Sequence, residues 1–316
     1  MSLLSESHYL RILDEYFSVG SRDLLVPRGD DAAVFSWKSP LCMSSDLFIQ
    51  DVHFRHSYFS PQDIGYKSLA INISDISAMG ARPLGFDMNV LLPVWVDEEF
   101  WRGFLQGMST LAGEYGLLLL GGDLVKTDRF GVSITILGDG SGRHLQRCCV
   151  GPGDILFVVG NPGLAGTGFC VLEKGEDKSG FEHAVKSHLR PELFVDIALS
   201  LGKDSSVKGL MDVSDGLLAD LPRFVGESHG VELTVGREDL HPEVVWYADK
   251  NGLSPEVFAL QGGEDYVLLG GCSTEGFEEI RHKVPGVLKI GEVSAKQGVF
   301  LQGEQLELQG FDHFSG

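Results

Sequence analysis

The chain has 316 residues, 43% of them hydrophobic, and this length suits two domains better than a single hydrophobic core. Its formal net charge of -20 disfavours nucleic acid and anionic membranes as partners, because their phosphates would be repelled. The 41 glycines follow no period and no polar low-complexity tract occurs, which excludes collagen and argues against disorder.

The first half of the chain alternates between helical and strand-like patterns. The helix signals are clearest after Asp97, a good N-cap, with Gly116 at the other end. Ser60 and Pro61 predict the start of an earlier helix, and Gly80 is its stop signal. In chain order we predict a helix over residues 6–17, a strand over 41–43, helices over 60–79 and 98–116, and strands over 117–120 and 132–136.

A segment rich in glycine and charge, residues 138–153, separates the two halves of the sequence. We place the domain boundary there, with an N-terminal domain over 1–140 and a C-terminal domain over 141–316. The mixture of helices and strands predicts an α/β (α+β) fold. The second half is predicted to contain a strand over 155–159, a helix after the following glycine-rich turn, a helix over 191–201 ended by Gly202, a strand at 210–211, helices starting near 215 and 254, and a strand over 266–269.

Carboxylates recur beside glycine at the ends of apolar segments. One Gly-Asp pair usually marks only a solvated turn. Five such turns attached to apolar segments predict that their carboxylates share a crevice, where cations must offset their repulsion. Magnesium fits best, because it takes hard oxygen ligands together with substrate phosphates. These turns contain Asp30 and Asp31, Asp46, Asp123, Asp212 and Asp215, and Glu264 and Asp265.

Asp75 is placed differently, inside an apolar predicted helix. Aspartate is a poor mid-helix residue unless it is exposed. Ser68, Asn72 and Asp75 lie on one helix face, and the residues around them are nearly all apolar. A solvated face is the plain interpretation, but the apolar surroundings favour a buried polar stripe that faces a site.

Other phosphate-handling and hydrolytic motifs are missing from the sequence. There is no P-loop, no protein-kinase signature and no nucleophile elbow. The glycines of residues 160–168 miss the dinucleotide-binding spacing. Cysteines and histidines hardly cluster in the sequence, and His53 and His144 show no zinc-site spacing, which argues against zinc.

The cysteines and the N-terminus bear on location. The five cysteines are odd in number and no pair has C-x-x-C spacing, which favours reduced thiols over a disulfide framework. The first residues lack a basic region followed by an apolar run, and no segment approaches the roughly 20 apolar residues of a membrane span. We therefore expect a cytoplasmic protein.

Several segments spread along the chain carry a common pattern. They are RGDDAAV at 28–34, SSDLFIQDVHF at 44–54, KSLAINISDISAMGA at 67–81, GGD at 121–123, GD at 153–154, LRP at 189–191, MDVSDGLLAD at 211–220, GGEDY at 262–266 and GFDHF at 310–314. In this order they resemble the thiamine-monophosphate kinase family, within the superfamily that includes aminoimidazole ribonucleotide synthetase, selenophosphate synthetase and a hydrogenase maturation factor. The resemblance covers nearly the whole chain, and the V-H-F and G-G-E-D-Y elements, with the chain ending, favour this family over its relatives.

The resemblance implies a two-domain aminoimidazole ribonucleotide synthetase-like fold whose N-terminal sheet domain dimerises. It also implies that the C-terminal domain completes the site for ATP and thiamine monophosphate. By matching position, several Mg²⁺ ions would be held by Asp30, Ser44, Ser45, Asp46, Asp75, Asp123, Asp212 and Asp215. ATP would contact Gly122, Asp123, Arg147 and Ser214, and thiamine phosphate would contact His53, Glu264 and Phe311.

The expected reaction is direct in-line phosphoryl transfer from ATP to thiamine monophosphate, with Asp75, Asp123 and Asp212 as the catalytic aspartates. The sequence departs from the family pattern at three places: Leu124 stands where threonine is usual, Ser44 and Ser45 replace a pair of threonines and keep the hydroxyls, and Phe311 stands where tryptophan is usual. Two alternatives stay open at this point: another ATP-using synthetase of the superfamily, and a non-catalytic protein that binds Mg²⁺ and a nucleotide.

Overall fold

The computed structural model describes residues 5–17, 24–28 and 32–307, and this part of the chain divides into two compact units. The first unit comprises the described residues up to Ile76 together with Ala81–Ser141. The second comprises Ser77–Gly80 and the described residues from Gly142 onward. No helix in these ranges is both long enough and apolar enough to cross a membrane.

The first unit combines three helices with short and long strands, within its described residues. Helix α2 extends beyond Ile76, so its last two residues belong to the second unit. In chain order the elements are α1 (Glu6–Tyr16), β1 (Leu24–Val26), β2 (Val34–Phe35), β3 (Leu41–Ile49), α2 (Pro61–Ala78), β4 (Arg82–Leu92), α3 (Glu98–Tyr115), β5 (Leu118–Gly121), β6 (Leu124–Lys126) and β7 (Gly131–Asp139).

The main sheet of this unit has the strand order β3-β7-β4-β5, with β6 also paired to β4. Side chains alternate between the two faces of a strand, so one face is buried and the other is open. Ile76 of α2 packs on the buried face, where a Cβ at Gly138 would come within 2.5 Å of its Cγ2. The buried side chains of β7 are Val132, Ile134 and Ile136, and the exposed side chains of β3 are Leu41, Met43, Ser45 and Leu47.

The second unit is built on a mixed sheet. Within the described ranges its order is β14-β13-β10-β12-β8-β11-β9, with β10 and β13 parallel and the other neighbours antiparallel. Its elements are β8 (Ile155–Val159), α4 (Leu164–Glu173), α5 (Glu182–Leu189), α6 (Val195–Lys203), β9 (Val207–Asp212), α7 (Leu217–Val225), β10 (Gly230–Leu233), α8 (Pro242–Lys250), α9 (Pro255–Gln261), β11 (Leu268–Cys272), α10 (Thr274–Lys283), β12 (Val287–Ser294), β13 (Gly298–Leu301) and β14 (Glu304–Gln305).

Helices cover both faces of this second sheet. All five residues of β8 are buried, as expected of a central strand. Leu156 and Val158 join a core shared with α4, α7 and α8. Ile155 and Phe157, which point the other way, join a core shared with α6 and α10. The sheet is therefore the middle layer of this unit.

Most predicted elements are present, but one helix prediction is wrong in its bounds. We predicted a helix over 191–201 ended by Gly202, whereas α6 runs over Val195–Lys203 and contains that glycine. The strand predicted at 266–269 is displaced to Leu268–Cys272, because Tyr266 has a φ of 51° and does not continue a strand.

Candidate functional site

Two of the predicted metal ligands of the first unit meet directly. The hydroxyl of Ser44 on β3 donates a hydrogen bond of 2.5 Å to the Asp75 carboxylate on α2. Asp46 occupies the same face of β3 two residues on, opposite the buried Ile134. Burial, together with the Asp75 charge, raises the pKa of the Cys42 thiol on this face. The sequence motif thus places hydroxyl and carboxylate oxygens on adjoining surfaces of β3 and α2.

A buried polar stripe runs along α2 towards Asp75, as predicted. Asn72 is 1% exposed and donates to the carbonyl of Ser68, but its Oδ1 has no hydrogen-bond partner among the described residues. An orphaned buried amide oxygen calls for an explanation, and an approaching cation or ligand donor supplies one. Lys67, which the sequence reasoning missed, is fully buried with Nζ 5.6 Å from the Phe59 ring centroid. A lysine inside so apolar a helix was the available signal.

Ser45 lies on the opposite face of β3 from Ser44. Its hydroxyl bonds with Thr135 Oγ1 at 3.0 Å and with the carbonyl of Ile134 at 3.1 Å. Thr135 in turn is opposite Asp87 on β4, so a polar row crosses the open face of the sheet. The structure therefore does not bring the two serine hydroxyls together.

The glycine turn before Asp123 is dictated by close backbone approach. Gly122 has a φ of 144°, and a Cβ there would lie 1.8 Å from the carbonyl oxygen of Met88. Only glycine fits such a position. Asp123 is exposed and its Oδ1 accepts the Leu124 amide at 2.9 Å. The turn therefore presents a carboxylate from a fixed backbone.

His53 lies in the turn that follows β3. Its Nδ1 accepts the Ile49 amide at 3.1 Å, and its ring stacks on Phe48 with centroids 5.8 Å apart. The bond to Nδ1 puts the proton of the neutral imidazole on Nε2. Nε2 is therefore the hydrogen-bond donor of this ring.

In the second unit, the two predicted acidic motifs are joined by backbone hydrogen bonds. The Glu264 amide donates to the Ser214 carbonyl at 2.7 Å, and the Tyr266 amide donates to the Val213 carbonyl at 2.9 Å. Asp212 ends β9 just before this junction, opposite Leu268. The M-D-V-S-D-G and G-G-E-D-Y segments thus lie side by side at the end of β9.

Glu264 has an unusual backbone for a non-glycine residue, with a φ of 62°. Such conformations cost energy and are found at binding sites more often than elsewhere. Its carboxylate is partly exposed and lies 3.2 Å from Nδ1 of His188, a residue that is 1% exposed. His188 was not predicted, because a lone histidine carries no signal in the sequence.

The adjacent Asp265 has a different task. It is buried, and its two carboxylate oxygens accept the amides of Gly163 and Ala165 at 2.6 and 2.8 Å. Gly163 is the N-cap residue of α4 and offers no side chain for capping. Asp265 therefore caps α4 from about 100 residues away in the sequence.

Asp215 is engaged by a cation of the protein. Its carboxylate lies 2.5 Å from Arg223, which also bonds the fully buried Asp220 at 2.8 Å. Burial raises the pKa of Asp220, and the Arg223 charge opposes that rise. Arg223 is about half exposed, so the Asp215 carboxylate is paired at the surface and can exchange partners.

The remaining predicted residues are placed as follows. Arg147 is exposed in the loop before β8, next to the exposed thiols of Cys148 and Cys149. Asp30 and Phe311 lie outside the described residues.

Sequence profiles match both halves of the chain. The profile of the AIR synthase related protein N-terminal domain matches residues 29–139. That of the AIR synthase related protein C-terminal domain matches residues 151–303. Together they span most of the chain and confirm a two-domain α/β fold of this kind with mixed sheets.

Individual relatives extend this similarity to whole proteins. The thiamine-monophosphate kinase of Bacillus subtilis (strain 168) is 35% identical over 310 residues, covering 90% of this chain and 92% of that protein. The crystal structure of thiamine-monophosphate kinase from Stenotrophomonas maltophilia K279a superposes with a TM-score of 0.83 at 26% identity, over 96% of this chain and 98% of that one. A solved complex named "AaThiL complexed with AMPPCP and TMP" gives a TM-score of 0.78 at 28% identity, over 99% of both chains.

Proposed function

The chain belongs to the thiamine-monophosphate kinase family of AIR synthase related proteins, and we propose that it transfers the γ-phosphoryl group of ATP to thiamine monophosphate. The products are thiamine diphosphate and ADP. The observation that carries the proposal is the 35% identity to a curated kinase across nine-tenths of both chains. The solved relative in complex with AMPPCP, an ATP analogue, and TMP supports the same pair of ligands.

The chemistry of the acceptor explains a site rich in aspartate. Thiamine monophosphate is a phosphate monoester, largely ionised near pH 7, so it needs little help from a general base. The barrier comes from bringing one anion up to another. Bound Mg²⁺ supplies charge neutralisation between the phosphates and stabilises charge in the transition state.

The donor atoms fit magnesium. They are hydroxyl and carboxylate oxygens, joined by the orphaned amide oxygen of Asn72, and Mg²⁺ prefers such hard ligands. The Ser44 hydroxyl holds the Asp75 carboxylate by a hydrogen bond and so fixes its orientation. We propose Asp30, Ser44, Asp46, Asp75, Asp123, Asp212 and Asp215 as the metal-holding residues. Ser45 is left out of this set, because its hydroxyl lies on the opposite face of β3, against Thr135.

Distinct residues are proposed to bind the two substrates. Gly122, Asp123, Arg147 and Ser214 contact ATP, and the glycine allows close approach of its backbone. The carbonyl of Ser214 is used by the Glu264 amide, so the serine hydroxyl is the group available to a ligand. The residues proposed for thiamine phosphate are His53, Glu264 and Phe311.

Positioning supplies the rest of the rate. In-line transfer needs the donor and acceptor phosphates held at reacting distance. When both substrates are bound in this alignment, their translational and rotational entropy is lost on binding and not in the chemical step. Asp75, Asp123 and Asp212 are the proposed catalytic aspartates. A fixed carboxylate at each position would hold a metal ion, and the ion would align the phosphates.

We also propose that the protein is a homodimer that pairs through the open face of the first sheet. Leu41, Met43 and Leu47 are 43%, 68% and 54% exposed on the edge strand β3. An exposed apolar face on the edge strand of a sheet is unfavourable in a monomer. A second copy of the same face covers it with matching side chains.

A direct assay tests the proposed reaction. Purified protein is incubated with ATP, Mg²⁺ and thiamine monophosphate, and thiamine diphosphate and ADP are quantified. We expect the two products in equal amounts, and none with unphosphorylated thiamine as acceptor. Asp75→Asn should lose about 99% or more of the turnover while keeping the wild-type thermal melt, since it removes a charge that acts in the transition state. ATP turnover without thiamine diphosphate, or nucleotide binding with no turnover, would reject the kinase.

A further inference from the structure

Three metal-binding side chains meet on the second unit, apart from the acidic motifs described above. They are His183, His241 and Glu243, and one ligand atom of each lies within 4.8 Å of the others. His183 is in the first turn of α5, His241 is the N-cap of α8, and Glu243 is in the first turn of α8. The two parts are 60 residues apart in sequence, so only the folded chain brings them together.

Glu243 orients the first imidazole. Its Oε1 lies 2.6 Å from Nδ1 of His183, and its Oε2 accepts the Ala184 amide at 2.7 Å. The glutamate is 8% exposed, whereas the His183 side chain is 72% exposed. One end of the cluster is therefore fixed by the backbone, and the other can move by the ångström or so that a metal requires.

The second imidazole completes the cluster. The ring centroids of His183 and His241 are 5.3 Å apart. Nδ1 of His241 accepts the Glu243 amide at 3.3 Å, which defines a neutral imidazole. Neutral imidazole is the form that binds metals, and the amide bond to Nδ1 shows that this ring has an unprotonated nitrogen.

Capping alone does not explain this arrangement. The Glu243 carboxylate accepts the amide of Ala184 and so supplies a hydrogen-bond partner at the N-terminus of α5, which accounts for the burial of the glutamate. It does not account for two imidazoles beside the same carboxylate. Two histidines and one glutamate form a known ligand set for zinc, with donor atoms about 3.3 Å apart when each is about 2.0–2.1 Å from the ion.

We propose that His183, His241 and Glu243 bind one transition-metal ion of the zinc class and so tie the start of α5 to the start of α8. The ion replaces the proton between Nδ1 of His183 and Glu243, and that proton moves to Nε2 of His183. At His241 the metal takes the place of the 3.3 Å bond between Nδ1 and the Glu243 amide, because that bond uses the ring's unprotonated nitrogen. A water molecule fills the fourth position. Imidazole ligands favour Zn²⁺, Ni²⁺ or Cu²⁺ over Mg²⁺. The site is thus separate in its chemistry from the magnesium sites of the proposed kinase reaction.

A tryptophan beside the cluster reports on it. Trp246 lies three residues after Glu243 on α8, and its ring stacks on Phe181 with centroids 4.6 Å apart. Phe181 is the N-cap residue of α5. A paramagnetic ion such as Ni²⁺ at the cluster should quench Trp246 fluorescence, and Trp246→Phe should remove that quenching without removing metal binding.

The experiment uses the full-length, tag-free protein, freed of metal with a chelator. Zn²⁺ binding is measured by calorimetry at neutral pH with excess Mg²⁺ present, which occupies the hard-ligand sites. We expect one saturable Zn²⁺ site. His183→Ala and His241→Asn should each weaken it by at least about 10-fold, since loss of even an outer partner costs that much. Asparagine at 241 keeps an N-cap acceptor, and His183 is exposed, so both variants should fold.

The matched control is His282→Ala, which removes an exposed helical histidine from α10. It should bind Zn²⁺ like the wild type. Bound Zn²⁺ should also raise the melting temperature of the wild type but not of His183→Ala, because only the folded state carries the site. Absence of a saturable Zn²⁺ site in the wild type, or equal affinity in all variants, overturns the proposal. Neither readout depends on kinase activity.

Discussion

Adjacent serines on β3 carry the same hydroxyl to opposite faces of the sheet. Ser44 reaches Asp75, whereas Ser45 reaches Thr135 on the open face. We expect Ser44→Ala to raise the Mg²⁺ concentration for half-maximal activity by about 10-fold, because loss of a hydrogen bond to a charged group costs about 1.5 kcal/mol. Activity is measured across a Mg²⁺ titration at saturating substrates.

Ser45→Ala is the matched control, since it removes the same atom one residue away. Its effect on the Mg²⁺ requirement should be smaller than that of Ser44→Ala. An equal or larger effect would show that the face assignment does not govern the metal site. Ser45 would then act through a route other than its hydroxyl contact with Thr135.

Two adjacent acids in the G-G-E-D-Y segment separate binding from stability. Glu264 is partly exposed beside His188, while Asp265 is buried against the start of α4. Asp265→Asn should lower the free energy of unfolding by about 1–3 kcal/mol, because it weakens a charge-assisted helix cap. Glu264→Gln should leave stability unchanged and raise KM for thiamine monophosphate several-fold.

Thermal melts and steady-state kinetics on both variants measure this division. Each variant serves as the control for the other, because the two changes are chemically alike and one residue apart. The interpretation fails if Glu264→Gln melts early with normal KM, or if Asp265→Asn has wild-type stability.

At the scale of elements, Arg223 in the last turn of α7 forms an ion pair with Asp220 in the first turn of the same helix. It compensates the charge of the buried Asp220. We expect Arg223→Met to destabilise the protein by about 1–3 kcal/mol at neutral pH, less than for a fully buried pair because the arginine is about half exposed.

The loss of stability in Arg223→Met should increase as the pH rises. Burial holds the folded-state pKa of Asp220 above its ordinary value, and removal of Arg223 raises it further. Below that pKa the carboxyl is protonated in the folded state and needs no partner. The folded variant therefore binds more protons than the unfolded chain, and its stability relative to wild type falls as pH rises. Urea unfolding in acid and at neutral pH measures this difference. Arg281→Met is the control, because it removes the arginine of an exposed ion pair with Glu278. A pH-independent difference would contradict it.

Local chemistry explains which elements were predictable from the sequence. Helix α3 was predicted with its ends, because the Asp97 side chain caps it and Gly116 adopts a left-handed conformation. The helix predicted over 191–201 was wrong because Pro191 looked like a helix start, whereas α6 begins at Val195 with no side-chain cap. Glycine 202 looked like a stop but lies within the helix.

The candidate site was predictable in its residue types rather than its contacts. Helical spacing predicted the polar stripe of Ser68, Asn72 and Asp75 on α2. It did not predict that Asp75 accepts a hydrogen bond from Ser44 on β3. The proximity of His188 to Glu264 and the meeting of His183 with Glu243 join distant parts of the chain. No local pattern encodes such pairs, because they depend on how helices pack.

At the scale of the whole molecule, the open face of the first sheet predicts the oligomeric state. Met43 and Leu47 flank Ser45 on the edge strand, and both are more than half exposed in a single chain. A stable dimer buries about 1,600 Å² in total, with an apolar centre. We expect the wild type to sediment as a dimer, and Leu47→Glu to shift it towards monomer, because a carboxylate at such a centre loses its water without gaining a partner.

Leu253→Glu, a change of the same kind at a 46% exposed leucine of the second unit, should leave the dimer intact. Sedimentation velocity over a range of protein concentrations measures all three proteins. A wild type that stays monomeric at every concentration, or a Leu47→Glu variant that stays dimeric, would exclude this face as the interface.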